Sequence, residues 1–161
     1  MTQWLPFLPI ASGPSAPFDF DCGKSNDEPR VTTVVMSKKK PIETAGAPAA
    51  AGPYSQGVRF GDLVFVAGQR PADPVSGEIP ADLAAQTRRV LDNLKAVLEA
   101  GGSSLDQVLK VSVYLTDLGD FAAMNEIYKE YFSEPHPART TIGCVLRGIK
   151  IEVDAIGYRK D

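Results

Sequence analysis

Val108-Leu109-Lys110-Val111-Ser112-Val113-Tyr114-Leu115 sends Leu109, Val111, Val113 and Leu115 to one side of an extended chain and Lys110, Ser112 and Tyr114 to the other. A period of two marks a strand with one face in a core. The flanking segments decide what covers that face. Before it, Leu83, Val90, Leu91, Leu94, Val97 and Leu98 recur at helical spacing. Asp82 is placed as the N-cap and Gly101-Gly102 as the stop. After it, Asp120 is placed to cap a second helix whose face carries Phe121, Met124, Ile127, Tyr128 and Tyr131. Upstream, Val58-Arg59-Phe60 and Leu63-Val64-Phe65-Val66 flank Gly61-Asp62, which suits a hairpin with a two-residue type II′ loop. Residues 71–80 form a loop. Strands over residues 140–145 and 149–158 close the pattern. In the last, Ile151, Val153 and Ala155 share one face, and Lys150, Glu152 and Asp154 share the other.

The predicted order is β-β-α-β-α-β-β. This is an α+β architecture, one sheet with two helices on one face. The opposite face carries Phe65, Tyr114, Ile156 or their neighbours and has no helix to cover it. A partly apolar sheet face left open predicts self-association.

Composition changes near Met36. Upstream, Pro, Gly, Ser and Asp mix with scattered aromatics and show no period. Met36-Ser37-Lys38-Lys39-Lys40 looks like a second start. Residues 1–46 are therefore expected to be an N-terminal extension, largely without fixed structure, and residues 47–161 the folded domain. A short run at residues 31–35 has strand propensity.

The 161-residue chain carries a net charge of −3. Its pI of about 5.2 argues against bulk binding to nucleic acid, which is driven by phosphate neutralisation. The one basic run, Lys38-Lys39-Lys40, reads as a solvated tail. Cys22 and Cys144 form neither a CxxC pair nor a metal-ligand spacing, which suits a reducing, cytoplasmic setting. The single histidine, His136, lies between two prolines and reads as a loop residue. No apolar run reaches the length of a membrane span. The N-terminus lacks the basic start of a signal peptide.

Pro137-Ala138-Arg139-Thr140-Thr141 carries the first chemical signal. An Arg at the start of a strand is held by backbone, and its guanidinium can fork onto a carboxylate. Glu152, arriving on the following strand, could manage a water or proton beside a bound acid. The two residues could instead form a salt bridge on a sheet edge. Cys144 reads as a small buried residue.

Several stretches together resemble the RidA/YjgF family of reactive-intermediate deaminases, also called endoribonuclease L-PSP. They are residues 52–57 (GPYSQG), 64–69 (VFVAGQ), 86–87 (QT) with 91–94 (LDNL), 120–128 (DFAAMNEIY), 137–141 (PARTT) and 151–153 (IEV). The resemblance spans residues 47–159. It implies a chorismate-mutase-like trimer in which the sheets form an inner barrel and sites sit at subunit clefts. The activity it implies is hydrolysis of 2-enamino and 2-imino acids, such as 2-aminoacrylate, to 2-keto acids and ammonia, without cofactor or metal. By the same resemblance Arg139 clamps the substrate carboxylate and Glu152 positions water. Tyr54, Ala67, Gly68, Asn125 and Thr141 contact substrate. Thr141 stands where many members have cysteine, and Ala67 where many have serine. The segment from Arg139 to Glu152 is shortened, as is the loop before Arg139.

Two other functions compete with the deaminase. One is a carboxylate-binding regulatory module without turnover. The other is an RNA-cleaving translation inhibitor, which the acidic pI and the lack of an aromatic-basic stripe disfavour.

Overall fold

A computed structural model describes residues 38–160. Cys22, Met36 and the run at residues 31–35 lie outside the described residues. Eight main elements follow in order: β1 (Lys40–Ile42), β2 (Gly57–Phe60), β3 (Leu63–Gln69), α1 (Leu83–Ala100), β4 (Val108–Leu115), α2 (Phe121–Tyr131), β5 (Ala138–Gly143) and β6 (Ile151–Tyr158). The six strands form one sheet in the order β1-β2-β3-β6-β4-β5. All neighbours are antiparallel except β4 and β5, which are parallel and joined through α2.

The α+β architecture is as expected, with one strand added. Lys40–Ile42 pairs with β2 and lies ahead of the boundary expected at residue 47. The hairpin forms with Phe60 opposite Leu63. Gly61 has φ 58° and no described non-glycine residue has positive φ, so only the first loop position is left-handed, as a type II′ loop requires.

Asp82 caps α1 by accepting from the Ala85 amide at 2.8 Å. Gly101 ends the helix, and Gly102 turns the chain at φ 81°. Before α2 the cap differs from expectation. A single 3-10 turn, Leu118–Asp120, precedes the helix, and Asp117 rather than Asp120 accepts from a free amide, that of Gly119 at 2.8 Å.

The core lies between the helices and one sheet face. From the sheet come Val64, Val66, Val111, Val113, Leu115, Ile151, Val153 and Ala155. Val90, Leu91, Leu94, Val97 and Leu98 descend from α1, and Met124 and Tyr128 from α2. Each such Val, Leu, Ile or Met side chain contributes about 1.5–3 kcal/mol by leaving water. Three expected core positions are corrected. Leu109 is 48% exposed, because a bulge between Val108 and Lys110 leaves it unpaired and turns Val108 inward. Phe121 is 39% exposed at the start of α2. Cys144 is half-buried, just past β5.

The other sheet face has no covering element among the described residues. Phe60, Leu63, Phe65 and Ile142 are exposed there, with Tyr114 and Ile156 half-buried between them. No described helix is long and apolar enough to cross a membrane.

Candidate functional site

β5 begins at the Pro-flanked loop, so Arg139 is its second residue and is fixed by pairing with Val111. Its guanidinium carbon lies 4.5 Å from the ring centroid of Tyr128 and 5.5 Å from that of Phe121. Two aromatic faces therefore hold the cation by their negative quadrupoles. Burial pushes the Tyr128 phenol up to about 12, with the Arg139 charge opposing. The ring stays neutral near pH 7. Its hydroxyl and Thr141 Oγ1 are both buried without a hydrogen-bond partner among the described residues. Beside them opens a cavity of about 280 Å³ lined by Asn125, Tyr128, Lys129, His136, Pro137 and Arg139.

Glu152 belongs to a different neighbourhood. β3 carries an irregularity between Val66 and Gln69, which disturbs the pairing at Ala67 and Gly68. Gly68 faces Glu152 so closely that a Cβ there would fall on the carboxylate. Burial holds the Glu152 carboxyl above its ordinary range; Arg70 pulls it down and Asp154 pushes it up. Tyr54 lines a small recess with Gly68 and Arg70. It is 51% exposed, and its oxygen accepts from the Ala51 amide at 3.1 Å.

Buried amides fix these loops. Gln56 Nε2 donates toward the Thr44, Ala47 and Pro48 carbonyls at 3.0, 3.0 and 2.8 Å, and its oxygen accepts from the Thr44 amide at 2.7 Å. Asn93 Nδ2 donates to the carbonyls of Arg70 and Ala72 at 2.8 and 2.9 Å.

Strand register decides how the two neighbourhoods relate. Arg139 pairs with Val111, which pairs with Ala155, and both partners are buried under the helices. Glu152 pairs with Tyr114, which pairs with Ile142 on the open face. Arg139 and Glu152 thus leave opposite faces of one sheet. The salt bridge considered from the sequence does not form. Asn125 and Thr141 lie on the Arg139 side; Ala67, Gly68 and Tyr54 group with Glu152.

Sequence reasoning passed over Arg70 and took Tyr128 only for core. His136 reads from the sequence as a loop residue, whereas it lines the cavity. Asn125, Tyr128 and Lys129 stand at i, i+3 and i+4 on one helix face, a spacing that could have grouped them.

Residues 44–158 match the protein family described as endoribonuclease L-PSP. The chain belongs to that family, which includes RidA and YjgF. A RutC family protein of Pyrococcus horikoshii is 50% identical over 125 residues, covering 76% of this chain and 99% of the relative. The 2-iminobutanoate/2-iminopropanoate deaminase of Escherichia coli K12 is 44% identical over 126 residues, covering 75% and 98%. A crystal structure of Escherichia coli TdcF with bound serine superposes with a TM-score of 0.71 at 44% identity, covering 75% and 99%. The six-strand sheet with its two helices is thus the fold of RidA/YjgF proteins.

Proposed function

We propose that this chain hydrolyses 2-imino and 2-enamino acids to 2-keto acids and ammonia, at a site completed by a second copy of itself. The observation that carries this is the division of the polar groups. A carboxylate clamp, Arg139 with Asn125, lies on one face, and a proton-handling group, Glu152 over Gly68, on the other. A small acid gripped by one cannot reach the other within a single chain. Two copies can bring them together. The imine deaminase name of an Escherichia coli relative and the serine bound by TdcF support an α-nitrogen acid as the ligand.

The chemistry asks little of the protein. Arg139 forks onto the carboxylate. An enamine first takes a proton at C3 and becomes the iminium ion. Glu152 then accepts a proton from water as the oxygen adds to C2. The same carboxyl returns that proton to nitrogen and takes the proton of the new hydroxyl as the C–N bond breaks, so ammonia leaves and a 2-keto acid remains. Nothing is oxidised or reduced. A carboxyl raised toward neutrality serves both transfers better than one at its ordinary value. Tyr54 and the backbone at Gly68 and Thr141 complete the contacts.

The patch carrying Arg139 differs from the patch carrying Glu152. An interface between unlike patches on opposite faces is head-to-tail, and where its rotation closes it gives a ring rather than a two-fold dimer. The open apolar face gives such a ring its interior, and a homotrimer is the expected closure.

Mixing two inactive variants tests this. Arg139→Ala and Glu152→Gln should each lose turnover. When they are co-expressed, random assortment gives roughly a quarter of the sites both intact groups. Recovered turnover near that fraction is expected. A mixture as dead as its parents would place the whole site in one chain and sink the shared-site reading. Ala67, which lacks a hydroxyl, favours a second reading, a carboxylate-binding module without turnover. Tight binding of 2-keto acids with no imine hydrolysis by the parent would select it.

A further inference from the structure

The cavity beside Arg139 is more basic than an acid with one carboxylate needs. Besides Arg139 its lining includes two further basic residue types, Lys129 and His136, with Asn125, Tyr128 and Pro137 making up the rest. Among the described residues no carboxylate lines it, although the whole chain is acidic at net −3. Lys129 is paired with Glu126 at 2.7 Å, but both side chains are well exposed. Such a surface pair is weak and yields readily to a competing anion. His136 lies between Pro135 and Pro137 and is exposed.

Resting on the deaminase reading above, we infer that the preferred substrates are 2-imino acids bearing a second carboxylate on the side chain. Arg139 takes the α-carboxylate. Lys129 and His136 take the distal one. Such a substrate is supplied by two-electron oxidation of an acidic amino acid, in which a flavin or nicotinamide acceptor of the supplying enzyme takes the α-hydrogen as hydride and the nitrogen gives up a proton.

Binding of two stable keto acids to the full chain tests this. 2-Oxoglutarate should bind about tenfold tighter than 2-oxobutanoate, the gain of one charge-assisted contact. The double variant Lys129→Ala with His136→Ala should bring the ratio to about one without changing affinity for 2-oxobutanoate. If the parent binds both acids equally, or the ratio survives in the double variant, the inference falls while the carboxylate clamp stands. If neither acid binds, the clamp falls as well. Turnover of the matching imino acids should follow the same ratio.

Discussion

The carboxylate of Glu152 lies over the bare Cα of Gly68, in the space that any other residue's Cβ would occupy. The atom met is the far end of a side chain, not backbone, so Glu152 can move aside and the fold can survive. Its position would not. Gly68→Ala is expected to lower turnover about 100-fold, as misplacing a catalytic group by about an ångström does, with little change in melting temperature. A fully active Gly68→Ala protein would remove Glu152 from the proposed chemistry.

Tyr128 gives Arg139 a platform and also buries a hydroxyl that has no partner. These two contributions separate on mutation. Tyr128→Phe keeps the ring and deletes the orphan hydroxyl, so thermal stability should hold or rise, by about 1 kcal/mol at most. Affinity for 2-keto acids should be unchanged. Tyr128→Leu loses the aromatic face and should weaken that affinity about three- to tenfold. Calorimetric titration with 2-oxobutanoate distinguishes them. If the leucine variant binds as well as the phenylalanine one, Arg139 does not depend on the ring.

Much of the fold was legible because its periods are local. Val111, Val113 and Leu115 alternate, and Leu91, Leu94 and Leu98 stack on a helix face; each pattern needs only near neighbours. Local patterning misplaced Leu109, because the bulge that exposes it depends on pairing with β6, more than forty residues on in sequence. Lys40–Ile42 was missed for a related reason. A three-residue edge strand containing Pro41 has no period to detect and forms only because β2 supplies its hydrogen bonds. Arg139 and Glu152 could be named from their motifs. That they face opposite ways could not, since this follows from strand order and register.

Gln56 shows how a buried amide can carry a loop. Its side chain meets both the amide and the carbonyl of Thr44 and reaches two further carbonyls, at Ala47 and Pro48. Gln56→Ala would leave these groups without partners and should destabilise the protein by about 2 kcal/mol. Tyr54 sits two residues away, so substrate affinity should fall as well. Denaturant unfolding of the variant measures the first effect. A change under about 0.5 kcal/mol would mean that water replaces the amide there.

One carboxyl should move stability and turnover in opposite directions with pH. Burial holds Glu152 above 4.5, more than Arg70 can offset, and Asp154 adds to the rise. Just above 4.5 the folded chain keeps a proton that the unfolded chain has released. Stability is therefore fullest below the unfolded value and falls as pH rises through the folded one. Turnover needs the ionised form, so it should rise over the same window, with its acid midpoint above 4.5. Glu152→Gln carries no titrating group. Its stability should be flatter with pH than the parent's and greater near neutrality, while its turnover stays low throughout. Melting temperatures and kcat/KM from about pH 4 to pH 8 test both arms on the two proteins. An acid midpoint at or below the ordinary glutamate value, or a glutamine variant that loses stability with the parent's slope, would show that another group titrates.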